Sequence, residues 1–310
     1  MKEKAVSVLL CLLLLLLIIF APAVSSGAAG GLILWYSQVL PALMPFTLIL
    51  QLMMAGGTVS WLGQIMGPAI VRIFGLSPAC SFCILSGFLC GFPMGALTAS
   101  QMLEQKLISK KEAQLLSSAC NNAGPMFLGS YILEQQLHAG DKRPVLMIIF
   151  YGSALLWLWF RSLFIHPGAV TSSSPAIRKH KTASAVSFRY ILLNSSELML
   201  KIGVSMMIFA IFCEVINSMS VISPENASLL TMLMEITNGA HAIAVLSLTD
   251  KIKTVLIMSG TAFGGLCIAF QTYTVIHSQK LSFVKYLMDK TAISLLTGTL
   301  ALLWLQISER

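Results

Sequence analysis

The sequence predicts an all-α polytopic membrane protein, built as an inverted repeat of transmembrane helices with two re-entrant hairpins. Three observations carry this. Apolar residues make up 56% of the chain and charged residues 10%, against about 45–50% and about 25% in soluble domains. Hydrophobic stretches approaching the roughly 20 residues that cross a hydrocarbon core as helix recur along the chain. Two interrupted apolar segments hold corresponding places in its two halves: Ser77-Pro78 leading to Gly91-Phe92-Pro93-Met94-Gly95-Ala96, and Ser223-Pro224 leading to Glu235-Ile236-Thr237-Asn238-Gly239-Ala240. Each precedes another broken stretch, Asn121-Asn122-Ala123-Gly124-Pro125 and Phe263-Gly264-Gly265. Unwound backbone is tolerated in lipid only where it is buried or lines a cavity, so matched breaks point to a polar site near the bilayer midplane.

Residues 1–30 form an N-terminal transmembrane helix. Lys2, Lys4, the Leu run and the Ala-Pro-Ala-Val-Ser-Ser end imitate a signal peptide, but serve a polytopic protein equally well as an uncleaved first helix. Residues 31–133 are the first repeat. Leu32–Met54 returns across the membrane, and Gly75–Leu103 enters and leaves on one face with its tip near Gly91–Gly95. Ser109-Lys110-Lys111-Glu112 is a capping box that starts the helix Ala113–Leu133. Residues 134–189 supply a connecting helix, Val145–Ile165, and a basic cytoplasmic loop, His166–Ser187, that serves as the hinge. Residues 190–286 are the second, inverted repeat: Ile191–Ile216, a hairpin over Asn226–Leu248, and Val255–Ile276 broken at Gly264-Gly265. Residues 287–310 close the chain with the helix Leu287–Leu305. An odd number of crossings per unit makes the repeats antiparallel.

A net charge of +8 invites a nucleic-acid partner until the charges are placed, because they fall in short loops. With the N-terminus in the cytoplasm, one side receives Lys2, Lys4, Arg72, Lys106, Lys110, Lys111, Arg161, Arg178, Lys179, Lys181, Arg189, Lys280, Lys285 and Lys290. The other receives Lys142, Arg143, Lys251, Lys253 and Arg310, and Lys201 lies within a span. That asymmetry is a topology signal. The implied partner is a lipid bilayer, with no nucleic acid. The seven cysteines fall in apolar segments as small hydrophobes. Cys80-x-x-Cys83 lacks the second pair or nearby His of a metal site, and the five His show no ligand spacing. With no nucleophile–base set in view, neither an enzyme, a cofactor nor a bound metal is expected.

The breaks supply the candidate binding residues. Gly91, Pro93 and Gly95 at the first tip permit close approach and leave half-helix amides open to an anion or hydroxyl, or else serve tight helix packing. Asn121 and Asn122 stand beside Gly124 and Pro125, and Pro125 frees a carbonyl one turn earlier. Those oxygens can coordinate Na⁺ or bind a sugar or base, or only join helices. Glu235, beside Thr237, Asn238 and Gly239, is an ionisable group inside a span and so a functional candidate. Gln271 follows Gly264 by two turns and is expected to face the same cavity. Glu197 and Lys201 have the i,i+4 order that neutralises a pair on one helix.

Leu40-Pro41-Ala42-Leu43-Met44-Pro45-Phe46, Gly91–Ala96, Lys111-Glu112-Ala113, Asn121–Phe127, Met234–Gly239 and Phe263–Gln271 together resemble the YlbJ-type sporulation integral membrane proteins. These belong to the wider group with the nucleoside-recognition, or Gate, domain. The resemblance implies a pore or carrier in a bacterial cell membrane that moves or binds a small polar solute, with or without a coupling cation. It also implies a homo-oligomer or other sporulation membrane proteins as partners. A non-transporting scaffold for spore envelope assembly is the alternative.

Overall fold

The computed structural model describes residues 2–165, 188–219 and 221–308. The loop expected to act as hinge, 166–187, lies outside the described residues. Among those described, no strand occurs.

Helix α1 (Lys2–Ile19) ends at Phe20, and α2 (Ala21–Leu34) starts at once, turned by 91°. The sequence placed the start of this second helix near Leu32. The small residues instead continue as helix because they let α2 lie against a later helix. A β-carbon at Gly27 would stand 2.8 Å from Ala210 O, and one at Gly31 would stand 2.9 Å from Ala210 Cβ. Small residues at such crossings let backbones approach where lipid supplies no hydrophobic drive. A π turn over Trp35–Val39 leads into α3 (Leu40–Ala55). After Gly57 the chain bends by 82° into two short helices, α4 (Thr58–Ile65) and α5 (Gly67–Phe74).

The first hairpin is α6 (Cys80–Cys90) and α7 (Met94–Glu104), joined through Gly91-Phe92-Pro93. Eleven residues rise only about 16 Å as helix, half a bilayer core. Both ends of this hairpin meet at one carboxylate: Glu112 accepts from Ser77 N at 2.7 Å and from Ser109 N at 2.8 Å. The hairpin therefore opens and closes at the same face. Ser109 Oγ in turn accepts from Glu112 N at 3.3 Å, completing the capping box that starts α8 (Lys110–Ala119). The helix breaks over residues 120–124, resumes with π geometry over Phe127–Gln136, and a short turn leads to α9 (Arg143–Ser162).

The second half repeats this order. The long α10 (Phe188–Ser218) precedes a hairpin of α11 (Pro224–Met234) and α12 (Ile236–Ala244). A broken helix follows, α13 (Asp250–Phe263) and α14 (Gly265–Ile276), and then α15 (Phe283–Ser308). Among the described residues, four stretches are long and apolar enough to cross a membrane, Gly140–Ser162, Phe188–Ser218, Asp250–Gln279 and Phe283–Ser308; counting the two bent pairs makes up to six.

The two hairpins open at opposite ends. Gln136, at the far end of the first broken helix, sits 3.3 Å from His241 Nδ1 near the open end of the second hairpin. At the other end Gln114, near the start of α8, brackets Ser282, accepting from its amide at 2.6 Å and donating to its carbonyl at 3.0 Å. The halves also share a core, in which Leu128, Ile132, Leu146 and Phe150 pack with Met232, Ile236, Ile243 and Ile257.

Candidate functional site

At the first tip the backbones are in contact. A β-carbon on Gly95 would stand 2.1 Å from Cys120 O, and one on Gly91 would stand 2.5 Å from Gly124 N. Gly91 also has φ +82°, which favours glycine. Gly91, Gly95 and Gly124 thus bring hairpin and break together, and packing is what these positions require. Pro93 precedes α7 and accepts from Leu97 N at 3.1 Å. Phe92, at the very tip, reaches the second repeat, its Cζ 3.1 Å from where a β-carbon on Gly264 would be.

Pro125 has no amide, so the carbonyl four residues earlier, that of Asn121, is left without its helical donor. Lys290 fills the gap. Its Nζ donates to Asn121 O at 2.8 Å and to Asn122 Oδ1 at 3.3 Å, and lies 5.1 Å from the Phe92 ring centroid. The Asn121 Nδ2 donates to Thr272 Oγ1 at 2.9 Å and Tyr286 Oη at 3.3 Å, while Asn122 Nδ2 donates to Ala119 O at 2.7 Å. Asn121 Oδ1 is buried with no hydrogen-bond partner. The next carbonyl but one, of Ala123, accepts from Tyr151 Oη at 2.9 Å.

Lys290 corrects the topology reading. Counted above among the loop charges, it is fully buried within α15. A lysine at the bilayer centre costs roughly 2.5–3.5 kcal/mol on insertion scales; here two oxygens and an aromatic face offset that cost. Its neighbour Asp289 is equally buried and accepts from Ser118 Oγ at 2.9 Å and Trp157 Nε1 at 3.1 Å. Arg161 Nε stands 3.2 Å from the same carboxylate, an ion pair whose N–H is not aligned as a hydrogen bond. Lys290 was missed because cations were assigned to loops by count, and Asp289 because only cations were placed. The signal was present, since both sit inside the stretch Leu287–Leu305 read as a span.

The second tip is organised by Glu235. Its backbone is extended, and its carboxylate accepts from Thr237 N at 2.9 Å and Asn238 N at 2.8 Å. The first amides of α12 are thus capped by the chain's own carboxyl group, the ordinary preference of a helix N-terminus. Gly239 is again a packing residue, a β-carbon there standing 2.1 Å from Met232 Cα on the other arm. Tyr131 Oη, from the first repeat, donates to Thr237 O at 2.9 Å. Gln271 is buried, with Nε2 3.4 Å from Cys267 Sγ. Glu197 and Lys201 pair at 2.7 Å on one exposed helix face, as their spacing suggested.

The candidates therefore form two polar centres rather than one. Asn121 and Asn122 gather with Lys290, Thr272 and Tyr286, while Glu235, Thr237 and Asn238 form the second. Helix α14 joins them: a β-carbon on Gly265 would lie 3.2 Å from Met234 O at the second tip, and Thr272, about 10 Å further along, bonds Asn121.

Paired hairpins of opposite opening, each set against a broken helix, define a polytopic membrane protein of the discontinuous-helix class. Residues 36–136 match the Gate family, described as nucleoside recognition. Over 98 residues the chain is 31% identical to the sporulation integral membrane protein YlbJ of Bacillus subtilis (strain 168), a stretch covering 32% of this chain and 24% of that protein. No solved structure matches. The chain is thus an integral membrane protein with a segment that matches the Gate family, similar to YlbJ over about a third of its own length and a quarter of that relative's. Glu235 and Lys290 lie outside the Gate-matched residues.

Proposed function

We propose that this protein moves a small polar or ionic solute across the cell membrane of a spore-forming bacterium. It does so without covalent chemistry, and its N-terminus is cytoplasmic. The observation that carries this reading is the pair of half-depth hairpins, opening at opposite ends, whose tips rest on two helix breaks. Parting either tip from its break would open the polar centre beside that tip to one side, the kind of movement alternating access needs. The unpartnered Asn121 Oδ1, with the Tyr286 and Thr272 hydroxyls beside it, suits a solute bearing hydroxyl or amide groups. The nucleoside-recognition description of the matched family makes nucleosides the first solutes to try.

The test is a thermal-shift screen of the purified chain against nucleosides, dicarboxylates, amino acids and metal ions, followed by uptake of any stabilising compound into proteoliposomes. Saturable uptake of a stabilising solute, weakened by Asn121→Ala, is the expected result. Stabilisation without uptake, or no stabilising compound, contradicts transport.

One observation favours a scaffold instead. Helix α1 is apolar and exposed on all sides, Val8 and Leu12 as well as Val6, Leu10, Leu14 and Ile18, which leaves it open to lipid, to another membrane protein of spore assembly or to a second copy. On that reading Asn121→Ala leaves the phenotype of a sporulating strain unchanged, while polar substitutions on α1 impair it.

A further inference from the structure

We infer that the Lys290 ammonium is a tethered cation, standing where a free monovalent cation would otherwise bind, so that the first polar centre works without a coupling ion. A helix broken by proline exposes a carbonyl that must find a donor or a cation. Here that carbonyl, Asn121 O, and the adjacent Asn122 Oδ1 converge on a single positive atom, Lys290 Nζ, at 2.8 and 3.3 Å. The remaining side is closed by the Phe92 ring, whose face also attracts cations. The groups the nitrogen meets in hydrogen bonds and ring contact are two acceptors and a π face, as for a bound cation.

The carboxylate nearest in sequence does not compete for it. Asp289 is occupied by Ser118, Trp157 and Arg161. The oxygens that Lys290 Nζ meets, Asn121 O and Asn122 Oδ1, are both neutral. On the same residue whose carbonyl meets the lysine, Asn121 Oδ1 is buried without a hydrogen-bond partner. A lysine is a compact point charge on a flexible stem, well suited to imitate a small cation. Because it is part of the chain, its effective concentration at the site is fixed by tethering and not by the medium.

The inference deepens the reading of the break as a solute site, but its readout is stability, so a failure of the transport assay leaves it standing. Thermal unfolding of the full chain is measured in NaCl, LiCl, KCl, ethylammonium chloride and choline chloride at constant ionic strength. The wild type is expected to melt at one temperature in all five salts. Lys290→Ala, which opens space and frees both oxygens, is expected to melt lower in choline. It should regain stability saturably with one of the small cations, by on the order of 3 °C at tenfold excess over Kd. Asn122→Ala in that background should weaken the rescue. A saturable Na⁺ stabilisation of the wild type overturns the inference, as does a folded Lys290→Ala that responds to none of the small cations. Should Lys290→Ala fail to fold in every salt, Lys290→Gln decides. A loss of stability that a small cation partly restores supports the tethered cation; wild-type stability, or no response to any cation, overturns it.

Discussion

Replacing Gly95 by alanine adds one carbon, and the structure says where that carbon goes. It would stand 2.1 Å from Cys120 O, 2.5 Å from Cys120 C and 2.9 Å from Asn121 N. Ordinary contact starts near 3.4 Å, so α7 and the break must separate by about 1.3 Å. The obstacle is main chain, which cannot rotate aside, and interiors packed to crystal density have no slack to absorb the shift. Overpacking costs about 1–3 kcal/mol and occasionally more, and a backbone collision sits at the upper end, about 3 kcal/mol. For a chain of 310 residues that corresponds to a fall of about 5 °C in unfolding temperature. Gly152, within α9, is the control: a β-carbon there meets nothing within 4 Å, so Gly152→Ala should be neutral or stabilising by up to about 1 kcal/mol. Both variants are compared by thermal unfolding in the same detergent. If Gly95→Ala melts with Gly152→Ala, the backbone contact between hairpin and break is not real, and the reasoning built on it fails.

Glu235→Gln keeps one acceptor oxygen where the carboxylate offered two, so the amide of Thr237 or Asn238 loses its partner and stability falls by about 1–2 kcal/mol. Glu235→Ala, losing both, should cost about twice as much in the same unfolding assay, and equal stability of all three proteins contradicts the capping role. Asp289→Ala leaves Trp157 Nε1, Ser118 Oγ and Arg161 without their shared acceptor. Removing one member of a buried pair costs about 3–5 kcal/mol, and the partial exposure of Arg161 lowers this to about 2–3 kcal/mol. Asp289→Asn, which keeps an acceptor, should fall between Asp289→Ala and the wild type.

The hairpins and breaks were legible because they follow from local chemistry. Gly91-Phe92-Pro93 cannot continue a helix, Pro125 cannot donate, and Ser109 with Glu112 announces a helix start that the structure contains. The second carboxylate contact of Glu112, to Ser77, joins residues 35 apart and had no local sign. Two readings went astray for one reason: each treated a residue type by its usual habitat. Small residues over 21–31 were read as the end of the first helix, although glycines pressed against α10 belong inside one. Lys290 was counted as a loop charge, although its place in Leu287–Leu305 put it in the membrane. Which oxygens it would meet depended on α15 lying beside the break at 120–124, a tertiary fact. Gln271 was expected to face the same cavity as Glu235; it meets Cys267 on its own helix, while its neighbour Thr272, whose contact with Asn121 had no local sign, bonds across to the first break.

The central claim is that the two hairpins enter from opposite faces, since access from alternate sides depends on it. Single cysteines at Lys106, beyond the open end of the first hairpin, and at Ser247, beyond the open end of the second, both exposed, can be introduced after the native cysteines are replaced. In intact cells a membrane-impermeant maleimide should label the cysteine at 247 and spare the one at 106, and inside-out vesicles should reverse the pattern. Labelling of both positions from the same side contradicts the account.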